Sequence, residues 1–448
     1  MAIFGEGAAV LRIVPLIYFL LTLGICSLII RRQFEKSSIN LFLFFMVVPS
    51  AFSVIWTMKA RGGFIEAVFL SLLYLLLLFE NRRKHQRALV WTMGVLFGFC
   101  LYINALTLPF LLLTTIIYWL ESDGRPRLPW RERWPILVFF LLGIFPLILH
   151  TIFNDVPPAA SRLVASSPYG IGWPGLQKVQ LLFFQVIPLA WGLLVGSPSW
   201  TAWGVPLEPS SWTSTKVAEL FLLISNALAF IVVTYAYRFD YWDLIRLRRR
   251  KYSCECYLMT ILPAFGFVLL VSMRFADIQG VRYLIFATVL MAFYQLELFK
   301  ILNTRSSTLA NSFAAIVLIS GLFANQHFLR DTTDQNYSST VEVLTDRGED
   351  VRSVVRFLEE NQLSYGYCSH WLQWKLIFLS RESLIYSAFS ANRYRPYRER
   401  VDAQLGPTYI YRESKILDRN AQLIELEEKY NARYSVEQID HYLIFFAG

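Results

Sequence analysis

Two stretches combine cations, acids and small residues in patterns suited to chemistry on a phosphate, and a third offers a ligand or base. The sharpest is Lys59-Ala60-Arg61-Gly62-Gly63-Phe64-Ile65-Glu66. Its two cations fall in a short turn left bare by Gly62 and Gly63, and Glu66 follows about one turn into the next apolar run. An arginine fork matches a phosphate oxygen pair, and a nearby carboxylate can orient it. The plainer reading is an Arg61–Glu66 ion pair at a helix end that snorkels to a wet interface. The second stretch is Arg274-Phe275-Ala276-Asp277-Ile278-Gln279-Gly280-Val281-Arg282-Tyr283. There Arg282 leads directly into an apolar run, and the plain alternative is a loop holding an Arg–Asp pair. The third is His150, Asn154 and Asp155 at the close of an apolar run, where helix-end capping competes with a ligand or base role. Asn104 has the same two readings.

Other residue types offer less. Cys254 and Cys256 form a lone C-x-C pair, short of the roughly four ligands that a structural zinc needs. Trp173, Trp191, Trp200, Trp203 and Trp212 crowd one loop, where an aromatic belt at a membrane interface competes with sugar stacking. Walker, dinucleotide, HExxH and nucleophile-elbow motifs are absent from the sequence.

The elements around these residues are strongly apolar. The chain has 448 residues, 55% hydrophobic, 16% aromatic and 17% charged, with mean hydropathy +0.44. A globular domain carries about 25% charged residues. The net charge of +9 comes in short clusters between apolar runs, unlike a nucleic-acid-binding surface. A crossing helix needs about 20 apolar residues. The runs predict spans near 9–30, 39–57, 63–80, 88–106, 107–120, 134–153, 216–237, 257–273, 281–299 and 308–328. The expected fold is therefore an α-helical polytopic membrane protein with about ten transmembrane helices over 1–329, followed by a small soluble α/β domain over 330–448.

Basic residues orient this bundle. Alternate loops hold Arg31, Arg32, Lys36; Arg82, Arg83, Lys84, Arg87; Arg125, Arg127, Arg131, Arg133; Arg238, Arg246, Arg248, Arg249, Arg250, Lys251; and Lys300, Arg305. These are 19 cations, against 7 in the opposite short loops. The positive-inside rule places the richer set in the cytoplasm and both termini outside. Keeping that alternation makes 179–197 an interfacial or re-entrant helix within an outer loop at 154–215. In the tail, Val351, Val354, Val355 and Leu358 predict an amphipathic helix over Asp350–Asn361. Ser383–Tyr386 and Tyr442–Phe446 read as strands.

These features resemble the GT-C membrane glycosyltransferases, the superfamily that includes protein O-mannosyltransferases, aminoarabinose transferases and many bacterial relatives. Met58-Lys59-Ala60-Arg61-Gly62-Gly63-Phe64-Ile65-Glu66 looks like the K-A-R-G-G-aromatic-x-E stretch of one bacterial branch. The run from Val90 to Leu120, with Gly94, Gly98 and a break near Leu108-Pro109, is similar to the family's paired helices. Gly143-x-x-Pro146 and Arg282-Tyr283 match further short patterns. In the tail, Tyr367-Cys368-Ser369-His370-Trp371, Phe378–Glu382 and Arg393–Tyr397 resemble that branch's outer domain.

The resemblance implies inverting transfer of a sugar from a polyprenyl-phosphate donor, at the outer face of a bacterial cytoplasmic membrane, to a lipid, glycan or protein acceptor. It also implies an acidic residue in the first outer loop as base or acceptor-positioner, often with a divalent metal ion nearby, and an extracytoplasmic C-terminal domain. Lys59, Arg61, Glu66, Asn104, Arg274, Arg282 and Tyr283 are then the substrate-binding candidates. One departure stands out: family members begin with one more helix and that acidic loop. The expectation is a chain that starts after them, which leaves the base unassigned, with Glu66 and Asp155 as substitutes. A non-catalytic assembly partner and a lipid or solute transporter are the competing readings. Tyr367, His370, Trp371 and the Arg393–Tyr397 run could bind an acceptor or pack on the loops, and packing is the expectation.

Overall fold

The computed structural model describes residues 8–33, 38–48, 63–84, 86–104, 107–120, 130–153, 214–248, 285–331, 351–389, 395–413, 416 and 418–447. The chain divides into two compact units, Met1–Thr340 and Val341–Gly448.

The described helices of the first unit are α1 (Ala8–Gln33), α2 (Ser38–Val47), α3 (Phe64–Lys84), α4 (Arg87–Ile103), α5 (Leu108–Leu120), α6 (Trp130–Phe153), α7 (Ser214–Ala236), α8 (Arg238–Ile245), α9 (Ile285–Asn303) and α10 (Ser307–Asp331). Several ends follow from helix electrostatics. α1 closes on Arg31 and Arg32. α3 opens with Glu66 and closes on Arg82, Arg83 and Lys84. In both, the side-chain charge opposes the helix dipole.

The expectation of about ten membrane-spanning helices is overturned. Among the described residues one helix, Ile13–Arg32, is long and apolar enough to cross a membrane by length and composition. A second counts only if Leu220–Ala236 and Arg238–Ile245, bent by 62° at their junction, form one broken span. The physical reason is length and charge. Arg87–Ile103, Pro135–Leu149 and Ser307–Phe323 are shorter apolar helices, and at 1.5 Å per residue they fall short of an apolar core about 30 Å thick. α3 carries Glu66 and Glu80 with three basic residues, and α9 carries Glu297 and Lys300. A hydropathy window counts apolar residues without asking whether they face lipid or one another. The expected span 257–273 and the interfacial helix 179–197 lie outside the described residues.

α9 forms the centre of the unit. From Val289 to Leu298 its residues are buried, with Phe293 against Phe42 of α2 at 4.5 Å and Tyr294 stacked on Phe230 of α7. α4 and α6 cross most closely. A Cβ at Gly98 would stand 2.2 Å from the Phe140 carbonyl oxygen, and one at Gly143 would stand 2.0 Å from that of Val95. The G-x-x-x-G spacing of Gly94 and Gly98 thus lets two backbones touch.

Contacts fix the helix directions. Arg32 pairs with Glu80, so α1 and α3 finish together. Tyr74 meets Thr115 and Asn81 meets Tyr118, so α5 runs with α3. Gly63 meets Ile103, so α4 runs against it. Gly94 then Gly98 meet Ile136 then Phe140, so α6 runs with α4. α2 leaves the end of α1 and passes Phe293 at Phe42, then Gly321 at Val48, moving away from the α9–α10 turn. Arg31, Arg32, Arg82, Arg83, Lys84, Arg87, Lys300 and Arg305 therefore gather at one end of the unit. α3 begins, and α4 ends, at the other.

The second unit has α11 (Arg352–Glu360), β1 (Tyr365–Cys368), α12 (His370–Leu379), β2 (Ile385–Ala388), α13 (Arg395–Asp402), β3 (Thr408–Arg412), α14 (Arg419–Tyr430), β4 (Tyr434–Ile439) and β5 (Tyr442–Ala447). The sheet order is β2-β1-β3-β5-β4. β1 is parallel to β2 and β3, while β5 is antiparallel to β3 and β4. Strand alternation sends Cys368, Tyr386, Ile410 and Ile444 to one face, with Val354 and Leu358 of α11 and Leu372 and Leu376 of α12. Tyr367, Ile385, Tyr409, Leu443 and Phe445 go to the other, with Val401 of α13 and Leu426 of α14.

Candidate functional site

Two of the sequence-derived site residues lie among the described ones, and the fold brings their helix ends together. Gly63 has φ +65°, and a Cβ there would stand 2.7 Å from Cγ2 of Ile103. Glycine meets both demands, the left-handed backbone and the close approach. The contact sets the first turn of α3, with half-buried Glu66, beside the last turn of α4. Asn104 caps α4, its backbone N–H donating to the Cys100 carbonyl at 2.9 Å. The Asn104 carbonyl accepts from buried Thr107, from N at 3.0 Å and from Oγ1 at 2.9 Å. Asn104 thus bonds the end of α4 to the residue that precedes α5. Lys59, Arg61, Asp155, Arg274, Arg282 and Tyr283 lie outside the described residues. So do Asn154 and the side chain of His150, while the α6 backbone runs through to Phe153.

The sequence reading passed over two acids within apolar helices. Glu80 accepts from Arg32 and lies 3.4 Å from Lys84 Nζ. Beside it Asn81 Nδ2 donates to the Tyr118 hydroxyl at 2.7 Å. Glu297 accepts from Tyr237 at 2.9 Å and from Lys300 at 3.0 Å. Above it Gln295 donates to Asn226 at 2.7 Å. An ionisable residue inside an apolar run signals a partner, and that signal was present in both cases. Their chemistry here is pairing, which ties α1 to α3 and α7 to α9.

In the second unit Tyr367 is buried in the core of its own sheet. Its hydroxyl donates to Asp402, and Arg398 lies over its ring at 4.6 Å. Arg398 also reaches Asp402 at 3.1 Å and the Ala388 carbonyl at 3.0 Å. Tyr397 donates to Glu382 at 3.1 Å. The Tyr409 and Tyr430 hydroxyls stand 2.5 Å apart, with Lys429 Nζ at 3.3 Å from Tyr409. Burial raises the Tyr367 phenol, and its bond to Asp402 raises it further. Burial, then the charges of Glu425 and Tyr430, push Tyr411 up to about 12. These phenols are packed and bonded, which suits a structural role. The side chains of His370 and Trp371, and residues 393 and 394, lie outside the described set.

Among the described residues no group of three His, Cys, Asp or Glu side chains is placed to hold a metal ion. Glu66 supplies a single carboxylate at the described part of the site, which does not by itself fit the divalent ion that the resemblance implies. No family model, no curated protein and no solved structure matches this chain.

Proposed function

We propose that this chain is a membrane-seated glycosyltransferase that moves a sugar from a polyprenyl-phosphate donor to a lipid, glycan or protein acceptor. The observation that carries the reading is the Gly63–Ile103 contact, which joins the Glu66 turn to the Asn104 turn. Both turns lie at the end of the helical unit away from its basic residues. Arg61 and Lys59 precede Gly63 by two and four residues in the chain. A phosphate held there meets cations and a carboxylate within one short segment.

Membrane seating draws on two features. Ile13–Arg32 is long and apolar enough to cross a bilayer. Leu142 of α6, Ile231 of α7 and Leu322 of α10 each expose more than half of their surface, as lipid-facing side chains do.

The chemistry is a displacement at the anomeric carbon. An acceptor oxygen forms the new bond as the bond to the phosphate oxygen breaks, and the polyprenyl phosphate leaves as an anion. Arg61 and Arg282 stabilise the charge growing on that phosphate. Glu66 orients Arg61 or accepts a sugar hydroxyl, and Asn104 offers its side-chain amide to the sugar. The acceptor proton goes to a carboxylate, for which Glu66 and Asp155 are the candidates.

Donor binding tests the site. A photoreactive polyprenyl-phosphate sugar should cross-link to a peptide containing residues 59–66, and excess unlabelled donor should compete. Arg61→Gln should cut labelling roughly ten-fold, the loss of one charge-assisted phosphate contact. Labelling spread evenly over the apolar helices, and unchanged by Arg61→Gln, would overturn this placement.

A further inference from the structure

We infer that α8 is an interfacial elbow that docks the basic end of the helical unit onto a lipid surface bearing anionic phosphate headgroups. It rests on the membrane seating proposed above, and is independent of the transfer chemistry.

α7 carries an exposed apolar face, with Phe221, Ile224, Leu228 and Ile231. At Tyr237 the chain turns, and α8 leaves at 62°. Such a bend suits a helix that comes through an apolar layer and then lies along its surface. α8 divides into three sectors. One faces protein: the Tyr241 hydroxyl meets that of Tyr294 at 3.3 Å, and Leu244 packs on the core. A second is apolar and uncovered: Phe239, Trp242 and Ile245, at helical spacing, are 65%, 50% and 69% exposed. Asp240 and Asp243 take the third, where Asp243 accepts from Arg248 at 3.3 Å.

The cations sit on the apolar sector. Arg238 lies over the rings of Tyr235 and Phe239 at 4.0 and 4.4 Å, and Arg246 lies over Trp242 at 4.5 Å. An aromatic and aliphatic stripe flanked by guanidinium groups fits the boundary between acyl chains and headgroups. The charge balance names the surface. Residues 238–251 hold Arg238, Arg246, Arg248, Arg249, Arg250 and Lys251 against Asp240 and Asp243. Each cation near an anionic leaflet adds to the attraction. A zwitterionic surface offers little of this, and a protein partner needs an acidic, apolar groove.

The test uses the full chain, with native cysteines replaced by serine, in vesicles of phosphatidylcholine with or without phosphatidylglycerol. A fluorescent probe on Trp242→Cys should be quenched by bromolipid and shielded from iodide. A probe on Asp243→Cys should behave oppositely. Phosphatidylglycerol should raise bromolipid quenching at 242 about two-fold, a gain that the Arg238→Gln/Arg246→Gln pair should abolish. Iodide access equal at 242 and 243 would overturn the elbow. Protection of 242 from both quenchers would indicate a protein partner instead, and indifference to phosphatidylglycerol would remove the anionic specificity. If the cysteine-free chain fails to fold, the same arginine pair in the otherwise native chain decides the matter. It should halve the phosphatidylglycerol retained on purification, and unchanged retention contradicts the proposal.

Discussion

Glu80 is the residue on which the basic end of the helical unit turns. It accepts from Arg32 of α1 and lies near Lys84 of its own helix, so one carboxylate offsets two cations and joins two helices. Substituting Glu80→Leu leaves Arg32 without that acceptor. The expected cost is roughly 1–2 kcal/mol, held down by the partial exposure of Arg32. Thermal unfolding of the full chain checks it, and Glu80→Gln should recover part of the loss. Tyr411 makes a prediction in pH. Its phenol is held up to about 12 in the fold, from an ordinary value of 10.0. Its contribution to stability is therefore complete below about pH 10 and fades as pH climbs through the folded value. Phenolate absorbance in the native chain, less that of Tyr411→Phe, should show this step near pH 12. A step near 10 would contradict the burial.

At the scale of elements, the α4–α6 crossing depends on Gly94, Gly98 and Gly143. Gly143→Leu places a side chain where a Cβ already falls 2.0 Å from a backbone oxygen. The helices must part, at a cost of about 2–3 kcal/mol, which the same unfolding measurement reads. A substitution at Gly24, where a Cβ would meet nothing within 4 Å, should be tolerated. Gly94, Gly98 and Gly143 stood out in the sequence, yet their pairing did not, because spacing marks a contact face without naming its partner. The amphipathic helix at α11 was legible for the converse reason: Val354, Val355 and Leu358 repeat with the helical period and all face one core. The β3 strand and the tyrosine layer around Tyr409 went unread. Tyr409, Ile410 and Tyr411 take opposite sheet faces although all three are large and apolar, and the Tyr409–Tyr430 contact spans two separate elements. The number of spans misled for a related reason. Apolar composition fixes that a helix hides from water, while its length and its neighbours decide whether lipid or protein hides it.

For the whole molecule, the contacts among α1 to α6 and between α9 and α10 bring Arg31, Arg32, Arg82, Arg83, Lys84, Arg87, Lys300 and Arg305 to one end of the helical unit. Asn104 and Glu66 fall at the other end.

The most direct measurement of the central claim is sugar transfer itself. Membranes holding this chain, supplied with a radiolabelled polyprenyl-phosphate sugar, should move label into a lipid-, glycan- or protein-bound product faster than membranes without it. Glu66→Gln and Arg61→Gln should each lower that rate at least ten-fold, the loss of one preorganised charge at the reacting phosphate or sugar. Label that stays on the donor at the same rate with and without the chain, across the candidate acceptors, would contradict the account.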